Sequence, residues 1–397
     1  MNPILANEAE LYFERGGPSY RITHRIVQNW HLGKSIRPRI VAFLLITWVP
    51  LLIFALLEGR ALGPLPRESL LLDFGTYARF FLGVPLLVIA EIIIGPRLRA
   101  AGLQLIHGGY VKPEDFPALE KAIASVVKWR ESGWAEFILL GLALVGAWFF
   151  TTETITGGAT ESWRSVNMTG GFLAGKSLTG IWYHLVAVPL IQFFWYRWLY
   201  RVFIWSKFLW TVSRLNLNLI PTHADQAGGL GFLGTAHTSF SILAFALSSI
   251  LSAEVAFQLV YENVQIESFK IEYFVTLIIT QVFFLGPLLL FAPIMARTRL
   301  AWLREYSLLT ARYNRAFHTK WIEGKSTSDE QLLGSADIQS LADLGSSFEY
   351  IGRMRVVPFG TRVIIQLALV TSLPCLPLLL IVFPVNKIIS LLAGAVF

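Results

Sequence analysis

An all-α fold, a polytopic transmembrane helical bundle of about seven spans with a cytoplasmic helical appendage, follows from three observations on this 397-residue chain. Apolar runs recur near 40–57, 78–95, 136–152, 181–199, 238–260, 273–294 and 363–384. A helix rises about 1.5 Å per residue, so roughly 20 such residues match the hydrocarbon thickness of a bilayer. Only 15% of the residues are charged and 54% are hydrophobic, whereas a soluble domain carries about 25% charge. The third observation is the placement of the Lys and Arg residues. With the N-terminus cytoplasmic, 25 of them fall in cytoplasmic segments and 6 outside, with Arg79 and Arg362 at span edges. Basic residues hold short loops in the cytoplasm, which predicts an N-in, C-out topology. The net charge of +7 is thereby a membrane signal and gives no reason to expect nucleic acid.

Residues 1–38 read as a cytoplasmic polar arm, amphipathic near Tyr20–Leu32. MNPILANEAELYFERGG has no apolar core, so it does not read as a cleaved signal peptide, and the first span serves as the targeting signal. Val41–Leu57 is uncharged throughout, and the second span ends at Gly95–Pro96 in a basic turn. The run 113–132 has the marks of a helix outside the bilayer. Pro113 is in its first turn, Glu114 and Asp115 lie at its start, Lys128 and Arg130 at its end. Leu119, Ile123, Val126 and Val127 give it an apolar stripe that predicts packing on the membrane surface or a neighbouring loop.

The 152–180 loop is rich in Thr, Ser and Gly and reads as irregular. After it, the fourth span continues into a segment where Arg197, Arg201 and Lys207 interleave with Trp195, Trp198, Trp205 and Trp210. Rings and long cations at this density predict interfacial anchoring, with a lipid-headgroup site as the sharper alternative. Spans one to six, their interfacial helices and the Gly-rich loop 219–235 make up the unit 39–295. Residues 296–360 form a cytoplasmic helical segment: one helix extends the sixth span, Glu-Gly-Lys-Ser-Thr-Ser breaks it, and a second runs from Asp329 to about Leu344. The last span and tail occupy 361–397. The single cysteine, Cys375, excludes an intramolecular disulfide.

Two stretches carry chemical motifs. Residues 170–177 match G-x-x-x-x-G-K-[ST], but no nucleotide domain surrounds them, so the match is expected to be fortuitous. Asn167-Met-Thr169 is a formal glycosylation sequon. The segment from Leu219 to Gly234 is the most distinctive. Its glycines, Gly228, Gly229 and Gly231 among them, allow close approach of main-chain N–H groups to an anion. His223 and Asp225 form either a turn-fixing pair or part of a metal site with His237 as a third ligand. The metal question stays open at this point, and no cofactor is expected.

The run Pro221-Thr-His-Ala-Asp-Gln-Ala-Gly-Gly-Leu-Gly-Phe-Leu233 resembles the PTHxDxAGGLGFL cytoplasmic loop of an uncharacterised family of bacterial polytopic inner-membrane proteins. The similarity extends to EIIIGPRLR (91–99), RVFIWSKFLWTVSR (201–214) and LPCLPLLLIVFP (373–384). Ala224 and Gln226 stand where that family has Pro and Arg. The resemblance implies an inner-membrane, multi-span protein and implies no activity.

Titratable residues inside apolar runs are the remaining lead, because each costs about 2.5–3.5 kcal/mol at the centre of a bilayer and so faces a partner or a cavity. Glu254, Glu91 and His184 are the candidates for a solute or proton path, with Arg97 or Arg99 the expected partner of Glu91. Pro50, Pro85, Pro189, Pro287 and Pro293 lie within or at the ends of spans, where they can kink helices. These features favour small-solute or ion/proton transport, with a non-catalytic membrane scaffold or assembly factor as the alternative. A lipid-acting enzyme ranks third, because no complete catalytic constellation is present. Expected partners are the bilayer and its anionic headgroups, and a second copy or another membrane protein.

Overall fold

The computed structural model describes residues 16–21, 36–151, 162–164, 177–325 and 335–382. Among these no strand forms, and an isolated antiparallel bridge pairs Val111 with Leu217. Six helical stretches are long and apolar enough to cross a membrane: α1 (Arg37–Leu57), α2 (Phe74–His107), α5 (Leu178–Val212), α6 (Gly231–Tyr261), α7 (Ile266–Ile322) and α9 (Thr361–Val382). Between them lie α3 (Phe116–Arg130), α4 (Gly133–Thr151) and α8 (Ala336–Arg353). The chain is a multi-pass helical membrane protein.

The third expected span, 136–152, coincides with α4, whose described apolar stretch Gly133–Ala147 is shorter than the other six. Contacts at the two ends of the bundle show its course. At the Arg39 end, Arg39 of α1 and Arg201 of α5 meet Glu91 of α2, while Glu136 near the start of α4 faces Arg197. At the Glu254 end, Arg79 meets Glu254, and Arg164, beyond α4, meets Asp73. The chain therefore passes from one end to the other between Glu136 and Arg164, and α4 carries that passage.

Proline placement explains several departures from the sequence reading. The second span does not stop at Gly95–Pro96, because α2 runs through Pro96 to His107. A proline inside a helix removes one i→i−4 hydrogen bond. Burial of Leu98, Ala101 and Leu105 in the main apolar core holds the helix together past that point. Pro50 is likewise accommodated inside α1. Pro85 and Pro189 act differently. Each, like Pro50, follows a valine, but each lies just beyond a π-helical segment, Ala78–Gly83 in α2 and Tyr183–Ala187 in α5. With no N–H on the proline, the preceding carbonyls lack their usual donor, and the turn widens to i→i+5 bonds. Val84 N–H accordingly donates to Arg79 O, and Val188 N–H to Tyr183 O.

The amphipathic helix is α3, and its buried residues Leu119, Ala122, Ile123 and Val126 join the core against α5 rather than lying on a surface. The Lys207 ammonium lies 4.0 Å from the Trp129 ring centroid, and the Tyr200 hydroxyl donates to Trp129 O. At about 86 Å, the 57-residue α7 is far longer than a bilayer is thick. Its far half folds back on α8. Gly324, at φ +67°, follows its end. The described part of the second helix starts at Ala336, where Ser335 accepts from Asp337 N–H, and runs to Arg353, past the expected end near Leu344; Asp329 lies outside the described residues. Lys320 and Trp321 close the hairpin on the Asp337 carboxylate at 2.8 and 2.9 Å.

Gly229 packs where the Leu219–Leu230 loop crosses Tyr110. Its φ is +93°, and an added Cβ would strike the Tyr110 ring. Gly229→Ala is expected to lower stability by about 1–3 kcal/mol, read as a lower midpoint of thermal unfolding in detergent.

Candidate functional site

These two π-helical segments are linked through side chains, for the arginine and tyrosine whose carbonyls accept the π-type bonds are joined directly. Arg79 Nη1 donates to Tyr183 Oη at 2.6 Å, and Arg79 Nη2 lies 3.4 Å from Glu254 Oε2. The Glu254 carboxylate lies against Gly75, where a Cβ would come within 2.7 Å of Oε2. Its side chain is 47% exposed against 23% for Arg79, so this ion pair is open on the Glu254 side. Asp73, which caps the start of α2, accepts from Thr76 N–H, Trp163 Nε1 and Arg164 Nη2 at 2.9, 3.0 and 2.7 Å. Two cations and two carboxylates thus share one junction between α2, α5, α6 and the 162–164 segment. His184, the next residue after Tyr183, is buried and bonds through Nδ1 to Gly180 O.

Glu91 belongs to a second junction, farther along α2. Arg39 and Arg201 reach its carboxylate at 2.8 and 3.1 Å, and Arg197 at 3.9 Å. Arg97 and Arg99 are not its partners. Six and eight residues further on, they are displaced by about 9 and 12 Å and turned about 120° and 80° away on the same helix. Arg197 also lies 3.9 Å from Glu136, whose carboxylate accepts from the Ser19 main chain and hydroxyl. Three guanidinium groups therefore share two carboxylates. Arg197 is 5% exposed, and its buried Nη2 has no partner among the described residues. The interleaved aromatic-basic run is in large part core: Trp198 donates to Leu87 O, and Trp205 donates to His237 Nε2. Trp210 remains exposed, with the Arg214 guanidinium 4.0 Å from its ring centroid.

The glycine-rich loop is organised around Asp225. One carboxylate oxygen accepts from Ala227 and Gly229 N–H, the other from Gly231 N–H at the start of α6. Burial opposes its charge, but these three donors and His223 hold the carboxyl below its ordinary value. His223 Nδ1 is 2.9 Å from the same carboxylate. Gly228 is at φ +65°, and Arg355 donates to Asp225 O at 2.7 Å. The Gly229 and Gly231 N–H groups are thus spent on the loop's own carboxylate. His237 does not join this pair, because Nδ1 bonds Phe284 O and Nε2 accepts from Trp205. Among the described residues no three His, Cys, Asp or Glu side chains are grouped to hold a metal. Residues 170–176 and the 167–169 sequon lie outside the described residues. Ser177 is the N-cap of the first turn of α5 and accepts from Gly180 N–H.

Fold and junctions define a multi-pass α-helical membrane protein with paired charges at two levels of its interior. No protein-family model, curated protein or solved structure matches the chain. Arg79, Tyr183, Asp73 and Arg164 escape a reading by composition. Val-Pro-Leu follows both π-segments, at 84–86 and 188–190, but it also occurs at 49–51 inside the regular helix α1, so the triplet alone does not mark these residues.

Glu91→Gln leaves three arginines facing one carboxylate and is expected to cost about 3–5 kcal/mol, measured as loss of detergent-stable protein. At Asp73, burial would raise the carboxyl, yet Arg164, Arg79 and the Thr76 N–H hold it at about 2, below its ordinary 3.8. A depressed carboxylate contributes stability that is present above its unfolded value. About 2 kcal/mol is therefore expected to be lost as pH falls from about 4 towards 2. Asp73→Asn is expected to flatten that acid limb of the unfolding profile.

Proposed function

We propose that this chain is a small-solute or ion/proton transporter of a bacterial inner membrane, with its N-terminus in the cytoplasm. The observation that carries the reading is the Arg79–Glu254 pair, half-open at one end of the bundle, with Arg79 on one π-helical segment and its other partner, Tyr183, on another. π-Segments inside long helices recur at functional sites, and an ionisable residue within a membrane span marks a path for ions or protons more often than a structural need. Polar groups continue along α5 from this junction, through His184, Gln192 and Tyr196 to Arg197. Gln192 Oε1 is buried without a hydrogen-bond partner among the described residues. On this reading Glu254 takes up the ion or proton, and Arg79 alternates between Glu254 and Tyr183 as the site fills and empties.

The PTHxDxAGGLGFL resemblance and the Lys/Arg asymmetry support the location and orientation. The scaffold reading draws on a different feature, the hairpin of α7 and α8, which exposes Leu300, Leu308, Leu309, Phe348 and Tyr350. It predicts a co-purifying membrane partner.

Reconstituted vesicles under an imposed voltage and pH gradient separate the two. Wild-type protein is expected to pass protons or small ions, and Glu254→Gln to lower the flux by about tenfold, the effect of losing one charge-assisted contact. Wild-type vesicles as tight as empty ones would end the transport reading.

A further inference from the structure

Ser248 and Ser252 stand one turn apart on α6. Ser252 precedes Glu254 by two residues, a rotation of about 200°, so the two serines face away from the Arg79 junction and towards α7 and α9. There, a crevice of about 230 Å³ opens between the three helices, lined by Ser248, Tyr273, Thr276, Thr371, Ser372 and Cys375 together with Phe274 and Leu277. Five hydroxyls and one thiol meet in it, and none of the lining residues carries a full charge.

Several of these polar groups are loosely satisfied. Ser252 Oγ donates to Cys375 Sγ at 3.6 Å, Ser248 Oγ lies 3.9 Å from the same sulfur, and Tyr273 Oη donates to Ser252 Oγ at 3.4 Å. A well-made O–H···O bond is about 2.7–2.8 Å. Within a bilayer there is no bulk water to make up the difference. Only Thr371 is bonded tightly, to Leu367 O at 2.7 Å.

We infer that this crevice binds the polar end of an uncharged lipophilic molecule bearing a hydroxyl or carbonyl group, which enters from the bilayer. Three observations select that class. The hydroxyl lining supplies donors and acceptors but no counter-charge, and an unpaired ion there would be strongly disfavoured. Phe274, on the rim, is 63% exposed along an apolar span, so the opening meets lipid chains. The free space falls below the roughly 300–1,000 Å³ of a site that encloses a whole small molecule. It holds a head and leaves the tail in the membrane.

The test is photolabelling of the full chain in phosphatidylcholine nanodiscs with a dodecanol that carries a diazirine beside its hydroxyl. Saturable labelling is expected on 248–252, 273–277 and 371–375, and excess plain dodecanol is expected to compete it away. The same chain ending in a phosphate should label these segments no more than it labels the exposed face of α4. Ser248→Leu, which fills the crevice, is expected to cut the labelling about fivefold, the effect of removing one hydrogen-bonding partner. Ser372→Leu at the rim serves the same purpose if the first variant does not fold. Glu254→Gln should leave the labelling intact, so this result is read apart from ion flux. Labelling that does not saturate, that spreads evenly over lipid-facing helices, or that is equal for alcohol and phosphate would overturn the inference.

Discussion

The Glu91 carboxylate sets the level at which the first half of the bundle is assembled. Arg39 lies in the first turn of α1, Arg201 well inside α5, and both converge on one side chain of α2. Three apolar helices could slide past one another at little cost, since lipid solvates their faces as well as they solvate each other. A buried carboxylate cannot slide: displaced by one turn, it would leave several unpaired charges in a low-dielectric interior. That constraint places the start of α1 beside the middle of α2, so that much of α2 and the end of α5 extend past it. The core around Leu98, Leu105, Trp205 and Leu233 is built on those extensions.

The same arithmetic leaves one arginine under-compensated, and proteins keep such residues where they have a use. Arg197 is held between two carboxylates and two like charges, with a buried N–H group unspent. The Glu254 junction is balanced by comparison, with two cations and two carboxylates, and it is more exposed. One junction is therefore closed and the other open on one side. Between them along α2 and α5 lie the two segments whose hydrogen bonding is widened ahead of a proline.

Glu254, Glu91 and His184 were legible as odd residues because a titratable group in an apolar run is conspicuous whatever surrounds it. Their partners were not. Arg39 is 52 positions from Glu91, Arg201 is 110, and Arg79 is 175 from Glu254. An arginine at a span edge reads as an anchor until another helix is laid beside it. The glycine loop shows the same limit from the other direction. The glycines announced free N–H groups, and Asp225 announced a turn or a ligand. That the aspartate itself takes two of those N–H groups, with Ala227 supplying a third, depends on backbone angles at Gln226, Gly228 and Gly229 that composition leaves open. His237, near in sequence, is turned away into the core by Trp205 and Phe284.

From the amino-acid order alone came the class of protein, the helices, the break after α7 and the polar oddities, because each rests on properties summed over residues adjacent in the chain. Hydropathy, helical periodicity and cap residues are of that kind. Tertiary structure alone decided that α2 runs on through Pro96, that three arginines share Glu91, that the π-segments meet through Arg79 and Tyr183, and that Ser248 on the far side of α6 lines a crevice. These depend on which helix faces lie against each other, and that is settled by pairing charges and filling volume between residues far apart in the chain.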